Sequence, residues 1–227
     1  MRCLTRPETA ALFEGKRVAL VGGGPSAALN PPDRIDSYDL IVRINNYRIA
    51  YGTGRRTDVL YSFFGNSIHK SVDQLKRDGV KLCMCKCPDA AALDSDWHFK
   101  HNKPHGVDFR YIYRKRHDWW FCDRYVPSVE AFMEKFKILG GHIPTTGFAA
   151  ILDIVSFKPQ ELYLTGFDFF RSRRHNLNEP WREKNDGDPI GHVPEQECEW
   201  VAKNATLHPI VMDGALAQLL PVRTVAA

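Results

Sequence analysis

The sequence predicts an α/β fold, a single-domain α/β/α sandwich, on three observations. Short apolar runs of strand length alternate with helix-length segments, the first full strand ends in a glycine turn, and no Pro/Gly/Ser-rich linker divides the 227 residues. Hydrophobic residues are 44% and charged residues of both signs 26% of the chain, which is enough apolar surface for one core and too even a charge balance for disorder. One domain therefore covers residues 1–227.

The elements follow in order. Residues 5–13 read as a short helix, with Thr5 as cap, Pro7 in the first turn and Glu8 three residues after the cap. Arg17–Val21 is a buried strand closed by Gly22, Gly23 and Gly24. Residues 39–43 and 57–63 are further strands, followed by a helix over 68–78 and a strand over 80–85. Beyond them, 109–113 and 161–164 read as strands and 129–139 and 148–157 as helices. From about 169 to 191 the periodicity gives way to charge, Asn, Pro and Gly, the composition of a mobile lid loop. A helix over Pro194–Asn204, a strand near 209–211 and a helix over 213–220 complete the chain.

A net charge of +4 is too small for an obligate nucleic-acid binder but suits an anionic substrate met by local basic groups. The most basic stretch, 110–124, holds its aromatics mainly in one clump and reads as a solvated face or an acceptor rim, so no nucleic-acid partner is expected. The six cysteines lack metal-ligand or disulfide spacing. Cys83, Cys85 and Cys87 alternate with Met84 and Lys86, which points the three thiols to one face of a strand as buried groups, and Cys122 and Cys198 stand alone. No apolar run approaches the ~20 residues that span a bilayer, and residues 1–15 carry no signal-peptide core. The expectation is a cytoplasmic protein with at most peripheral membrane contact.

A strand followed by Gly22, Gly23, Gly24, Pro25 and Ser26 can turn backbone N–H groups toward a phosphate. The run also fits a dinucleotide fingerprint, with Gly22, Gly24 and Ala27 at the small positions, so a flavin or nicotinamide oxidoreductase is the rival reading. Against it, Asn30, Pro31 and Pro32 cut the following helix short, and the second strand ends in Arg43 and Asn45 where an acidic ribose ligand is expected. A third reading is a non-catalytic nucleotide- or glycan-binding module.

Over residues 17–64 the chain resembles the large motif of the sialyltransferases, glycosyltransferase family 29, through the glycine turn, Ile35 to Asn45 and the Gly54 to Asp58 segment. Pro144, Thr145, Thr146 and Gly147, then Leu162 to Asp168, resemble the small motif. His175, and then His192 with Glu197 in H-x4-E spacing, follow in the family's order. The resemblance implies a Rossmann-like, GT-A-variant sheet and an inverting, metal-independent transfer of sialic acid from CMP-sialic acid to a glycan or glycolipid hydroxyl. It implies His192 as general base and His175 as donor to the departing phosphate. The donor site would comprise Gly22, Gly23, Gly24, Ser26, Asn45, Thr145, Thr146, Gly147 and Gly166, supported by Arg43, Asp168 and Glu197.

The chemistry agrees on its own terms. A CMP-sugar carries one phosphate and a good leaving group, so transfer needs hydrogen-bond donors on that phosphate and a base for the acceptor, with no cofactor and no diphosphate-bridging metal. Asn45 after a strand, and Thr145 to Gly147 at a helix start, are placed for such contacts, and a near-neutral imidazole suits the base. Glu197 would orient the ring or hold a helix start. Two departures stand out: Gly23 replaces the family's usual Asn, and Asn176, Leu177 and Asn178 replace aromatics near His175. Another CMP-activated acidic sugar such as Kdo remains an alternative donor. The D-x-D triplets Asp94-Ser95-Asp96 and Asp186-Gly187-Asp188 do not end buried strands and are expected to bind no metal.

Overall fold

The computed structural model describes residues 1–64, 68–97, 121–171 and 192–220. The expected strand at 109–113, the Asp186–Asp188 triplet and all of the expected lid after Arg171, with His175, lie outside them.

The chain forms one eight-stranded sheet in the order β1-β6-β5-β4-β3-β2-β7-β8. The strands are β1 (Cys3–Leu4), β2 (Arg17–Val21), β3 (Leu40–Ile44), β4 (Val59–Ser62), β5 (Leu82–Cys85), β6 (Asp123–Tyr125), β7 (Glu161–Thr165) and β8 (Ile210–Met212). Every neighbouring pair is parallel. The helices are α1 (Arg6–Phe13), α2 (Val72–Arg77), α3 (Ala90–Ser95), α4 (Val129–Ile138), α5 (Thr146–Ser156), α6 (Pro194–Asn204) and α7 (Gly214–Leu219).

Alternation along the strands supplies both faces, as a sheet buried on two sides requires. Val18 and Leu20, Val59 and Tyr61, Leu82 and Met84, and Leu162 and Leu164 pack with Phe13, Phe148, Val201 and Leu216 of α1, α5, α6 and α7. Their neighbours face the other way: Leu60, Cys83 and Cys85 cover Leu75 of α2, while Ala19, Val21 and Tyr163 cover Ile35. The result is the expected three-layer sandwich.

Local signals set the element ends. Thr5 and Glu8 close a capping box on α1, and Ser71 with Gln74 closes one on α2. That second box starts α2 at Val72, so the helix expected from 68 begins four residues later. The strand expected over 57–63 keeps only Val59–Ser62, because the Thr57 amide donates to Asp78 O and its hydroxyl accepts from Arg43. β1 escaped the sequence pattern: two residues cannot show a period of two, and only pairing with β6 defines it. A buried ion pair, Lys135 to Asp153 at 2.6 Å, joins α4 to α5, and the Tyr61 hydroxyl donates to the same carboxylate at 2.7 Å.

The thiols of Cys83, Cys85 and Cys87 are buried as expected. Only Cys83 and Cys85 share a face, however: β5 ends at Cys85, and Cys87 packs with Phe132 and Phe136 instead. Cys122 is not alone either, its Sγ lying 3.5 Å from that of Cys83. No helix among the described residues is long and apolar enough to cross a membrane.

The β3 to β6 series spreads to one side of β2 while β7 and β8 lie on the other, so the strand order reverses between β2 and β7. Ligand sites of open α/β sheets form at the carboxyl ends of strands at such a reversal. There the backbones almost touch. A Cβ on Gly22 would lie 2.3 Å from Gly166 O, and one on Gly166 (φ 73°) would lie 2.7 Å from Gly22 O. Gly214, in contrast, faces open space at the start of α7. Gly22→Ala is therefore expected to destabilise the fold by about 3 kcal/mol, by overpacking against backbone that cannot yield. Gly214→Ala is expected to change stability by no more than about 1 kcal/mol. Urea unfolding of both variants checks this, and equal midpoints would contradict the close contact.

Candidate active site

The glycine turn is knitted to β7 rather than left open. Gly22 N donates to Thr165 O at 2.8 Å and Gly24 N to Gly166 O at 2.8 Å. Two of the three turn amides expected to face a phosphate are thus spent, and among the described residues only the Gly23 N–H of the three has no acceptor. Gly166 N donates to Ser26 Oγ and Asp213 Oδ2, while Ser26 Oγ donates to Asp213 Oδ2 at 2.9 Å. Ser26 therefore has no proton left for a phosphate, and Gly166 serves backbone contact rather than the ligand. A concavity of about 520 Å³ beside this seam includes Ser26, Asn30, Tyr163 and Asp213. Their polar atoms already bond to one another or to Thr165. The helical turn after the glycines is a five-residue 3-10 segment, Pro25–Leu29. With spent amides before it, this turn is a poor pyrophosphate cradle, which weighs against the dinucleotide reading.

Phe167 carries the geometry onward. Its ring edge would lie 3.2 Å from a Cβ on Gly22 and 2.8 Å from one on Gly147, so it fills the gap between the glycine turn and the first turn of α5. Gly147 is thus required for packing, and Ile44 lies on its other side. Beyond Ile44, Asn45 adopts φ 50° with its N–H on Tyr61 O, and its Oδ1 accepts from Ser62 Oγ at 2.9 Å. Asn45, Gly23, Thr146 and Gly147 thus lie along the carboxyl end of the central strands.

Thr145 N-caps α5, its hydroxyl accepting from Phe148 N. Glu197 grips this cap: Thr145 N donates to Oε1 at 2.6 Å and Thr145 Oγ1 to Oε2 at 2.7 Å. Thr145 has no donor left for a ligand. The donors at this helix start are instead the hydroxyl of Thr146 and the amides of Thr146 and Gly147, which have no intrahelical acceptor. Both Glu197 oxygens are occupied here, so it holds the start of α5 and does not orient His192.

His192 precedes α6, and its Nδ1 lies 2.6 Å from Ile143 O. A carbonyl partner requires the proton on Nδ1, which leaves Nε2 a free lone pair. The Phe170 ring stacks on the imidazole with centroids 6.4 Å apart and planes 13° from parallel. Phe170 reaches it through a strained turn in which Phe169 and Phe170 have φ of 49° and 62°. Asp168 holds that turn, its Oδ1 accepting from Phe170 N at 3.0 Å. Asp168 and Glu197 thus support the site from within. Arg43, expected to support the site, bonds instead within the β3–β4 connection, its buried guanidinium donating to Thr53 O, Arg56 O and Thr57 Oγ1.

Burial holds His192 well below the usual imidazole range, at about 4, with the Lys86 charge adding to the effect and the Ile143 bond opposing it. Burial raises Glu197 to about 7, against the pull of Thr145 and Lys86. Sequence reasoning missed Ile143, Phe170 and Lys86. A carbonyl bears no sequence signal, Phe170 falls at the edge of an irregular segment, and Lys86 stood out only as a spacer between cysteines. Among the described residues no group of three or more His, Cys, Asp and Glu could hold a metal ion, and Asp94 and Asp96 lie at the end of α3.

No family model matches the sequence, and no curated protein matches it. Solved structures do. The sialyltransferase CstII from Campylobacter jejuni, in complex with the substrate analogue CMP-3FNeuAc, aligns with a TM-score of 0.57 at 16% identity over 90% of this chain and 85% of that one. The chain has the sialyltransferase fold. An α-2,3-sialyltransferase from the same organism gives 0.53 at 14% identity over 97% and 82%, and a mammalian sialyltransferase 0.53 at 15% over 87% and 68%. The GT-A-like sheet expected from the two motifs is therefore the one observed.

The shifts of Glu197 and His192 tilt stability in opposite directions. Glu197, raised from 4.5 to about 7, contributes fully below pH 4.5 and loses its contribution as pH rises through 7. His192, lowered from 6.5 to about 4, contributes fully above pH 6.5 and loses its contribution as pH falls through 4. Between pH 4.5 and 6.5 the two slopes, each at most ~1.4 kcal/mol per pH unit, oppose one another. Glu197→Gln is expected to steepen the loss of stability toward acid, and His192→Gln to leave a loss toward neutral pH. Urea midpoints measured from pH 4 to 8 read both slopes, and curves parallel to wild type would refute the assignment.

Proposed function

We propose that the chain is an inverting, metal-independent glycosyltransferase that moves sialic acid from a CMP donor to a hydroxyl of a glycan or glycolipid. One observation carries this reading: in a sheet with the sialyltransferase fold, His192 presents an unprotonated Nε2 close to the start of α5. CstII has been seen with CMP-3FNeuAc and with a trisaccharide acceptor and CMP, which supports a CMP-sugar and a glycan as the two substrates.

In this mechanism the donor lies across the carboxyl ends of β2 and β3, with its nucleotide near Gly23 and Asn45. Its anionic part faces the Thr146 hydroxyl and the first amides of α5. His192 Nε2 takes the proton of the acceptor hydroxyl as that oxygen attacks the anomeric carbon from the face opposite the phosphate. The C–O bond to CMP breaks, the configuration inverts, and His175 gives a proton to the departing phosphate. Packing of Phe170 over the imidazole keeps water from the base. We place the protein in the cytoplasm, in keeping with the free thiols of its described cysteines. CMP-Kdo is the second donor to be tried, because the motifs read mainly the CMP half.

His192→Ala is expected to lower kcat by ~10²–10⁴-fold with little change in the donor KM, as loss of a general base does. EDTA is expected to leave the rate unchanged. A radiolabel transfer assay with CMP-sialic acid and CMP-Kdo measures both effects. Absence of transfer from either donor by the wild-type protein would remove the enzyme reading.

A further inference from the structure

Lys86 follows β5 directly, at the carboxyl end of the strand. Its backbone is fixed by the bond from Lys86 N to Ser62 O at 2.9 Å. The residue is only 4% exposed, yet its ammonium has no hydrogen bond or ion pair among the described residues; the Phe63 ring lies 5.8 Å from it. Lys135, also 4% exposed, shows the usual solution, with a carboxylate at 2.6 Å. A buried cation without a counterion is destabilising and persists where something other than stability requires it.

The position of the ammonium is informative. Among the described residues the sealed polar atom without a partner is Arg43 Nη1, and Lys86 Nζ is not another, so it is not wholly closed off from solvent. The groups that feel its charge are the His192 imidazole, the Glu197 carboxyl, the Cys87 thiol and Lys135. Glu197 cannot neutralise it, because both oxygens are held by Thr145. Cys87 does not, since burial keeps its thiol protonated with a pKa of about 12. Among the described residues the surroundings of Lys86, with His192 and Glu197, therefore hold a cation and a neutral base and no negative charge free to pair with the ammonium.

We propose that Lys86 is the anion-binding cation of this site and pairs with an ionised oxygen group, phosphate or carboxylate, of the donor. This rests on the CMP-sugar reading for the identity of the donor, but the subsite is defined by Lys86 itself. It has a consequence for the base. An anion on Lys86 cancels one of the charges that hold His192 unprotonated, so arrival of the donor strengthens Nε2 as a proton acceptor. A weak base in the empty site becomes a stronger one in the complex.

Calorimetric titration of cytidine, CMP and CMP-sialic acid into wild type, Lys86→Met and Lys86→Arg tests the pairing. If the partner is the phosphate, Lys86→Met loses at least tenfold in CMP affinity. If it is the carboxylate, the loss appears only with CMP-sialic acid. Cytidine affinity is unchanged in both cases, and Lys86→Arg retains most of the binding. The thermal midpoint of ligand-free Lys86→Met should rise, since an uncompensated buried charge has gone; a residue kept for structure would lower it. NMR titration of the His192 ring gives a reading independent of nucleotide: inorganic phosphate should raise its pKa in wild type and not in Lys86→Met. Anionic ligands bound equally by wild type and Lys86→Met, with no phosphate effect on His192, would overturn the proposal. Failure of wild type to bind any cytidine nucleotide, with the phosphate effect intact, would instead remove the CMP reading and leave the anion subsite standing.

Discussion

The backbone contact between Gly22 and Gly166 is the constraint on which the site depends. Their closeness lets β2 and β7 run side by side past the last regular pair, with Gly22 N and Gly24 N bonded into the β7 connection. That fixes where Phe167 leaves the sheet. Its ring then locates Gly147 and with it the first turn of α5. One residue further, Asp168 turns the chain so that Phe170 meets His192. A methyl group at the seam would displace each of these in turn, because close-packed interiors transmit strain rather than absorb it.

From α5 the order passes to α6 by electrostatics rather than by packing alone. Glu197 in the first turn of α6 accepts both donors of Thr145, so the starts of two helices are held together by one carboxyl group. A carboxylate near two positive helix ends is favourably placed. Its burial opposes ionisation, and the Lys86 charge offsets part of that penalty. Glu197 is thus a structural acid whose two oxygens serve Thr145.

Most of the architecture was legible in the sequence because parallel strands buried on both faces write themselves as continuous apolar runs, as in β2, β3 and β7. Capping residues announced α1, and the small-motif threonine marked the start of α5. The functional meaning of single residues was less legible. Gly22, Gly24 and Gly166 carry a pattern shared by phosphate cradles and by tight seams, and only the direction of their N–H groups separates the two. Thr145 and Ser26 look like ligand contacts until their protons are found on Glu197 and Asp213. Lys86 illustrates the opposite case. A lysine after a strand reads as a solvated end, and its lack of a partner depends on what α5 and α6 bring near it, hundreds of bonds away along the chain.

These reassignments move the anion-recognition chemistry across the sheet. In a dinucleotide fold the glycine turn and its helix take the phosphates; here that turn is closed by β7 and followed by only a short 3-10 segment. Among the described residues the open donors and a cation without a counterion lie instead at the start of α5 and the end of β5. A donor that places its negative charge there also brings it toward His192, whose Nδ1 is fixed on Ile143 and whose Nε2 carries the lone pair. Binding and base strength are coupled through one lysine. On the proposed reading, with His192 as the base, such an arrangement would make the base weak where no donor is bound and strong where one is, which would favour transfer to an acceptor only after the sugar nucleotide is in place.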